Sequence, residues 1–205
     1  NLKNLDQCID KFKSVDGILL LPGFGKRGSE GKILACQYAR HNKVPFLGIC
    51  LGLQCAVIEF ARNICKMENA NSTEFNPETP YPVIDLMESQ QMIERKGGTM
   101  RLGSYECNLK SGTKVYREYK TKKIYERHRH RWEVKNLYRK KLEKNGLIIS
   151  GLNTELNLVE IIELENHPWF VGCQFHPELK SRVLKAHPLF RGFIAASLDY
   201  NRFKK

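Results

Sequence analysis

The sequence predicts a single α/β domain in which a parallel sheet is covered by helices. Two strand-then-helix units in succession carry that prediction: Gly17–Leu21 before a helix from Ser29, and Val44–Ile49 before a helix from Leu51. The third observation is size. A chain of 205 residues with 41% hydrophobic content fits one core flanked on two faces.

Each element has a local reason. Gly17-Ile18-Leu19-Leu20-Leu21 is an apolar run closed by Pro22-Gly23, a buried strand and a turn. Ser29 caps a helix reaching about His41, whose inner stripe is Leu34, Ala35, Tyr38 and Ala39. After Val44–Ile49, the residues Leu53, Ala56, Val57, Phe60, Ala61 and Ile64 keep helical spacing. From Asn69 to about Arg101 the periodicity fades among Pro77, Pro80, Pro82 and Gly97-Gly98, giving loops and short extended pieces over the site. Asn136 and Gly146 bracket a short helix as cap and stop. Leu147–Ser150, Leu158–Leu164 and Trp169–Phe175 read as strands. A terminal helix begins at Pro188, with Phe190, Phe193, Ile194, Ser197 and Leu198 facing inward. No repeat or linker divides the domain, which runs over 1–205.

Composition excludes several classes. No apolar run reaches the ~18 residues a bilayer span needs, and Asn1-Leu2-Lys3-Asn4 is no signal peptide, so no membrane role is expected. Seven cysteines without a Cys-x-x-Cys pair argue for free thiols in a reducing, cytoplasmic setting and against a metal site. Asn71-Ser72-Thr73 matches a glycosylation sequon, a false positive in an unsecreted chain. The net charge of +12 is concentrated between Lys110 and Lys144, which hold 14 Lys and Arg against 4 Asp and Glu. That stretch lacks aromatic stacking repeats and any nucleic-acid-binding pattern, so it reads as a solvated basic face, or one meeting an acidic partner or a nucleotide.

The chemistry-bearing residues stand at the ends of two of these strands. Val44–Ile49 runs into Gly48-Ile49-Cys50-Leu51-Gly52, a sharp strand-to-helix turn that lifts a nucleophile above a sheet. The glycines permit the strained backbone and close packing. Trp169–Phe175 ends in His176-Pro177-Glu178, and residues two apart project to one side of an extended segment. A Cys, a His and a carboxylate so placed form a nucleophile, a base and an orienter. Cys8, Cys36, Cys55, Cys65, Cys107 and Cys173 have no base in motif and read as structural.

Pro22-Gly23-Phe24-Gly25, Gly48–Gly52 and Phe175–Glu178, in that order, resemble the class I (triad) glutamine amidotransferases. Gly23–Gly28, Asn69–Phe75, Gly97–Gly103 and Glu126–Arg131 narrow the resemblance to the glutaminase domains of CTP synthases, from about Asp16 to Phe193. The resemblance implies the three-layer, flavodoxin-like fold of that class, with a largely parallel central sheet and helices on both faces. It implies Cys50 as nucleophile, His176 as base and then acid, and Glu178 as the group orienting His176. Gly23, Leu51, Gly52, Leu53, Gln54, Glu74 and Arg131 fall on the glutamine-binding positions. Among these, the N–H groups of Gly23 and Leu51 would hold the oxyanion, Glu74 the α-ammonium and Arg131 the α-carboxylate. The helix starting at Leu51 is expected to lower the Cys50 pKa through its dipole. The sequence departs from the family at Pro22, which stands where the first glycine of a Pro-Gly-Gly-Phe-Gly run is expected.

In that family the glutaminase half releases ammonia from L-glutamine for a synthase half that aminates UTP to CTP. The resemblance therefore implies an N-terminal synthase domain in the same polypeptide, together with the first strand of the glutaminase domain ahead of Gly17. It implies ATP, Mg2+ and the activator GTP for the full enzyme, no cofactor in this domain, and a homotetramer. Another Cys-His hydrolase of the same scaffold, such as a γ-glutamyl hydrolase or a cysteine peptidase, stays open at this level. So does a basic interaction module with an idle triad.

Overall fold

The computed structural model describes residues 4–86 and 100–204. The segment Gly97–Thr99 of the narrowing motifs lies outside them.

The chain begins with α1 (Leu5–Phe12), capped by Asn4, whose side chain accepts from the Gln7 N–H at 3.0 Å. Then come β1 (Ile18–Leu20), α2 (Ser29–His41), β2 (Phe46–Ile49) and α3 (Leu51–Asn63). Two short strands follow, β3 (Asn71–Ser72) and β4 (Pro82–Leu86). Past the undescribed segment lie β5 (Arg101–Leu109), α4 (Lys114–Tyr119), β6 (Lys123–His130), β7 (Trp132–Val134) and α5 (Asn136–Lys144). The last third is β8 (Leu147–Asn153), β9 (Leu158–Leu164), β10 (Phe170–Cys173), a 3-10 turn at Pro177–Leu179 and α6 (Pro188–Lys204).

Seven strands form the main sheet in the order β1-β2-β10-β9-β8-β5-β6. β1, β2 and β10 run parallel, whereas every pairing from β10–β9 outward to β6 is antiparallel. The α/β class is as expected, but the central sheet is mixed and not largely parallel: within it only β1, β2 and β10, the strands that lead to the nucleophile and base, run parallel. A smaller sheet, β3-β4-β7, stands beside it.

Alternation along the central strands builds two cores. Phe46, Phe170 and Ile162 face Ile33, Cys36, Leu53 and Val57 of α2 and α3. Leu47, Ile49, Val171 and Ile161 face Val115 of α4 with Leu189 and Phe193 of α6. Helices therefore cover both faces. Strands buried on both sides read as continuous apolar runs, which explains why β2 and β10 are visible in the sequence.

Three local expectations need correction. Ser29 is the first residue of α2 and not its cap: Gly28 holds the cap position at φ +77°, and Ser29 Oγ donates to the Lys26 carbonyl at 2.9 Å. Asn136 likewise opens α5, its amide donating to the Asn157 carbonyl at 2.7 Å. In α6 the buried residues are Leu189, Gly192 and Phe193, whereas Ile194 and Leu198 are exposed. Past its first turns the helix meets the protein through Ala196, Ser197 and Tyr200, so the inward face runs through these residues and not through Ile194 and Leu198.

Candidate active site

The turn after β2 is as strained as its sequence suggests. Cys50 adopts φ +52°, ψ −101°, a region a side chain enters only when its surroundings enforce it. Those surroundings are backbone. A Cβ on Gly48 would lie 2.6 Å from Gly52 C, and one on Gly52 would lie 2.4 Å from the Leu20 carbonyl oxygen. Only glycines let β1, the turn and α3 approach so closely. The Cys50 N–H donates to the Cys173 carbonyl at 2.7 Å, locking the turn to β10.

β10 delivers the second group. Cys173 pairs with Ile49 in parallel register, so Cys50 and His176 leave adjacent strands at the same edge of the sheet. His176 follows the strand by three residues and is held by its own N–H, which donates to the Arg127 carbonyl of β6 at 2.8 Å. His176 Nδ1 lies 2.6 Å from Glu178 Oε1. The two residues meet through the 3-10 turn at Pro177–Leu179, not through the extended segment expected from their spacing. A carboxylate can only accept, so Nδ1 carries the proton and Nε2 keeps its lone pair. His176 Nε2 is buried and has no partner among the described residues. Burial raises the Glu178 carboxyl pKa. The bond from His176 and the backbone N–H of Glu178 outweigh it and leave the carboxyl below its ordinary range.

The thiol differs from expectation. Burial pushes the Cys50 pKa up to about 12; the Leu51 N–H lowers it, and Glu178, Glu74 and Glu133 raise it further. The helix terminus acts in the expected direction and is outweighed, because Cys50 is 2% exposed. At rest this is a neutral thiol.

The other predicted residues fall into two groups. A Cβ placed on Gly23 would reach the Leu51 side chain at 3.3 Å, so the Gly23 loop stands beside the start of α3. Glu74 Oε1 accepts from the Gly25 N–H at 2.7 Å, which brings it to the same loop. Gln54 Nε2 donates to the Trp132 carbonyl at 2.8 Å, and the Trp132 indole donates to Thr73 Oγ1 at 3.2 Å. Trp132, the neighbour of Arg131, thus joins Gln54 to Thr73, the neighbour of Glu74. Arg131 is half-buried, with no hydrogen bond or ion pair to the described residues. Gly52 and Leu53 serve packing: Gly52 lies against Leu20, and Leu53 is fully buried with its Cα 3.1 Å from a Cβ placed on Gly172.

Two residues near the thiol were not anticipated. Gln174 Nε2 is 3.6 Å from Cys50 Sγ, and its Oε1 is 3.4 Å from Gln54 Nε2. Its signal was a polar residue within the apolar run Trp169–Phe175. Trp132 carried no signal, since its role rests on a backbone carbonyl.

The arrangement is a buried thiol on a strained turn and an imidazole oriented by a carboxylate, its other ring nitrogen without a partner among the described residues. Such a set performs acyl transfer through a covalent thioester. Comparison with known proteins agrees. The family model for glutamine amidotransferase class-I matches residues 1–196. CTP synthase from Caldanaerobacter subterraneus subsp. tengcongensis is 60% identical over 195 residues, 95% of this chain and 36% of the relative. CTP synthase from Chlorobium phaeobacteroides is 59% identical over 94% of this chain and 34% of its own length. The chain thus spans about a third of these relatives. Among solved structures, the glutaminase domain of Trypanosoma brucei CTPS with bound acivicin superposes with a TM-score of 0.90 at 35% identity. That match covers 97% of this chain and 77% of the other. Among the described residues no helix is long and apolar enough to cross a membrane.

Proposed function

The chain belongs to the class-I glutamine amidotransferases as a glutaminase domain of the CTP synthase type, and from that premise we propose that Cys50, His176 and Glu178 hydrolyse the side-chain amide of L-glutamine. The observation that carries this reading is His176: one ring nitrogen on Glu178 at 2.6 Å, the other buried with no partner among the described residues, at the sheet edge that also bears Cys50.

His176 Nε2 takes the thiol proton as Cys50 Sγ attacks the amide carbon. Because the resting thiol is neutral, deprotonation accompanies attack. The oxyanion of the tetrahedral adduct is held by the N–H groups of Gly23 and Leu51. The C–N bond then breaks, His176 returns the proton to the departing nitrogen, and ammonia leaves behind a γ-glutamyl thioester. Water, deprotonated by the same ring nitrogen, cleaves the thioester to glutamate and restores the thiol. Glu178 stabilises the imidazolium in both halves. Glu74 takes the α-ammonium and Arg131 the α-carboxylate of the substrate.

Within a longer polypeptide, the ammonia would serve amination of UTP to CTP on a synthase domain that uses ATP and Mg2+, with GTP as activator, in a tetramer. The named relatives support this placement by name and length.

The test is glutamate release from glutamine by the protein and by two cysteine variants. Cys50→Ala should be inactive and Cys55→Ala should retain most activity, both folded. Parent-rate turnover by Cys50→Ala would overturn the assignment.

A further inference from the structure

Five ionisable side chains that this chemistry leaves unused form one buried network across β5, β6, β7 and β9. Arg101, His128, His130, Glu133 and Glu160 are each no more than 5% exposed. Arg101 reaches Glu160 Oε1 at 2.6 Å and Glu133 Oε1 at 3.5 Å. His128 Nε2 meets Glu160 Oε2 at 2.6 Å, and His130 Nε2 meets Glu133 Oε1 at 3.0 Å. The other nitrogen of His128 contacts the Glu126 carbonyl at 3.0 Å. Both His128 partners are hydrogen-bond acceptors.

Buried ion networks rarely stabilise a fold better than apolar residues of the same volume would. This one is also incompletely satisfied: Arg101 Nε, His130 Nδ1 and Glu133 Oε2 have no partner among the described residues. What it does enforce is geometry. β6 ends at His130 and β7 begins at Trp132, and the two strands belong to different sheets. Arg131 is the single residue at that crossing. The His130–Glu133 bond closes over it from both sides, and Arg101 with Glu160 anchors the closure to β5 and β9. On the far side, Gln54 and Thr73 fix Trp132. The backbone on each side of Arg131 is thereby pinned, while its guanidinium has no hydrogen bond or ion pair to the described residues.

We propose that His130 and Glu133, backed by Arg101 and Glu160, are positioning residues that aim Arg131 at the α-carboxylate of glutamine. The proposal rests on the reading of Arg131 given above.

The test compares L-glutamine with glutamine amidated at its α-carboxyl, using the full polypeptide and the variants Arg131→Ala, His130→Gln and Glu133→Gln. The parent should prefer glutamine, and Arg131→Ala should erase the preference. His130→Gln and Glu133→Gln should raise KM for glutamine about tenfold, short of the ~100-fold that a 1 Å misplacement can cost, with kcat little changed. His130→Gln should leave turnover of the α-amide unaffected, and any change Glu133→Gln makes there should match its change in Cys50 alkylation, since Glu133 also raises the thiol pKa. In an Arg131→Ala background the same substitutions should add nothing. Melting temperature and alkylation of Cys50 by iodoacetamide, which needs no α-carboxylate, report whether the fold and thiol are intact. Equal losses on both substrates, or full additivity with Arg131→Ala, would overturn the proposal. So would failure of both variants to fold, which would make the network a requirement of the fold alone. If Arg131→Ala itself keeps the parent's preference, the reading of Arg131 has failed and the proposal falls with it.

Discussion

The Gly25 N–H donates to Glu74 Oε1 at 2.7 Å, so the carboxylate proposed to receive the α-ammonium of glutamine also holds the loop that carries Gly23. A carboxylate has two oxygens and can serve both. Pro22, whose φ is fixed, stiffens the same loop from its other end. Substrate binding and the shape of the oxyanion site are therefore joined in one side chain.

That junction predicts different behaviour for two substitutions. Glu74→Gln keeps an acceptor for Gly25 but loses the charge, removing roughly 1.5–3 kcal/mol of a charged hydrogen bond. It should raise KM for glutamine and spare kcat. Glu74→Ala frees the loop as well and should lower kcat. With glutaramate, which lacks the α-amino group, the Gln variant should match the parent while the Ala variant stays slow. Identical kcat for both variants would mean that the Gly25 bond does not support the loop.

The pH dependence of Cys50 follows from its burial. With a pKa pushed up to about 12 by desolvation, the thiolate is a minor species throughout the neutral range. Each unit of pH below that value leaves about tenfold less thiolate. Alkylation of Cys50 by iodoacetamide should therefore climb steadily between about pH 7 and 9 without levelling. A plateau near neutrality would reveal a thiolate already formed at rest and remove the need for concerted proton transfer to His176.

Sequence reading succeeded where burial is two-sided. Phe46–Ile49 and Phe170–Cys173 are buried at every position, and the residues ending those runs, Cys50 and His176, could be paired without coordinates. It failed along β6, where burial alternates strictly and the inward residues are Ile124, Glu126, His128 and His130. A period-2 signal is read from apolar residues, and here charged ones face inward while Lys123, Arg127 and Arg129 face out. The strand therefore looked like a basic surface stretch. β6 is the terminal strand of the sheet, where outward cations also discourage pairing with another chain. The buried ion network was hidden for the same reason, since no local pattern announces that Arg101 will meet Glu160, 59 residues away.

Packing at the nucleophile turn can be tested with glycines. In Gly52→Ala the new methyl would stand 2.4 Å from the Leu20 carbonyl oxygen, a backbone atom that cannot swing aside. Overpacking of this kind costs about 1–3 kcal/mol and should displace Cys50, lowering both melting temperature and glutaminase rate. Gly112→Ala is the control: its φ is +84° with open space around a Cβ, so backbone strain of about 1 kcal/mol should lower stability and leave activity alone. Full activity in Gly52→Ala would show that the turn tolerates movement of β1.

His176 and Glu178 should differ in how much their loss costs. His176→Asn removes the ring nitrogen proposed to take the thiol proton, a general-base loss of roughly 10²–10⁴-fold. Glu178→Gln can still accept from Nδ1–H through its amide oxygen, so the tautomer with a free Nε2 survives. What it loses is the negative charge facing the imidazolium, and Glu178, with 41% of its side chain exposed, works through a partly water-screened bond. Its substitution should therefore slow turnover less than His176→Asn does. The step affected distinguishes the roles further. Pre-steady-state release of ammonia reports acylation, and glutamate release reports thioester hydrolysis. His176→Asn should slow both, because the same nitrogen moves a proton in each. If Glu178→Gln proved the more damaging, the carboxylate would be acting on the substrate directly and the order of the triad would have to be redrawn.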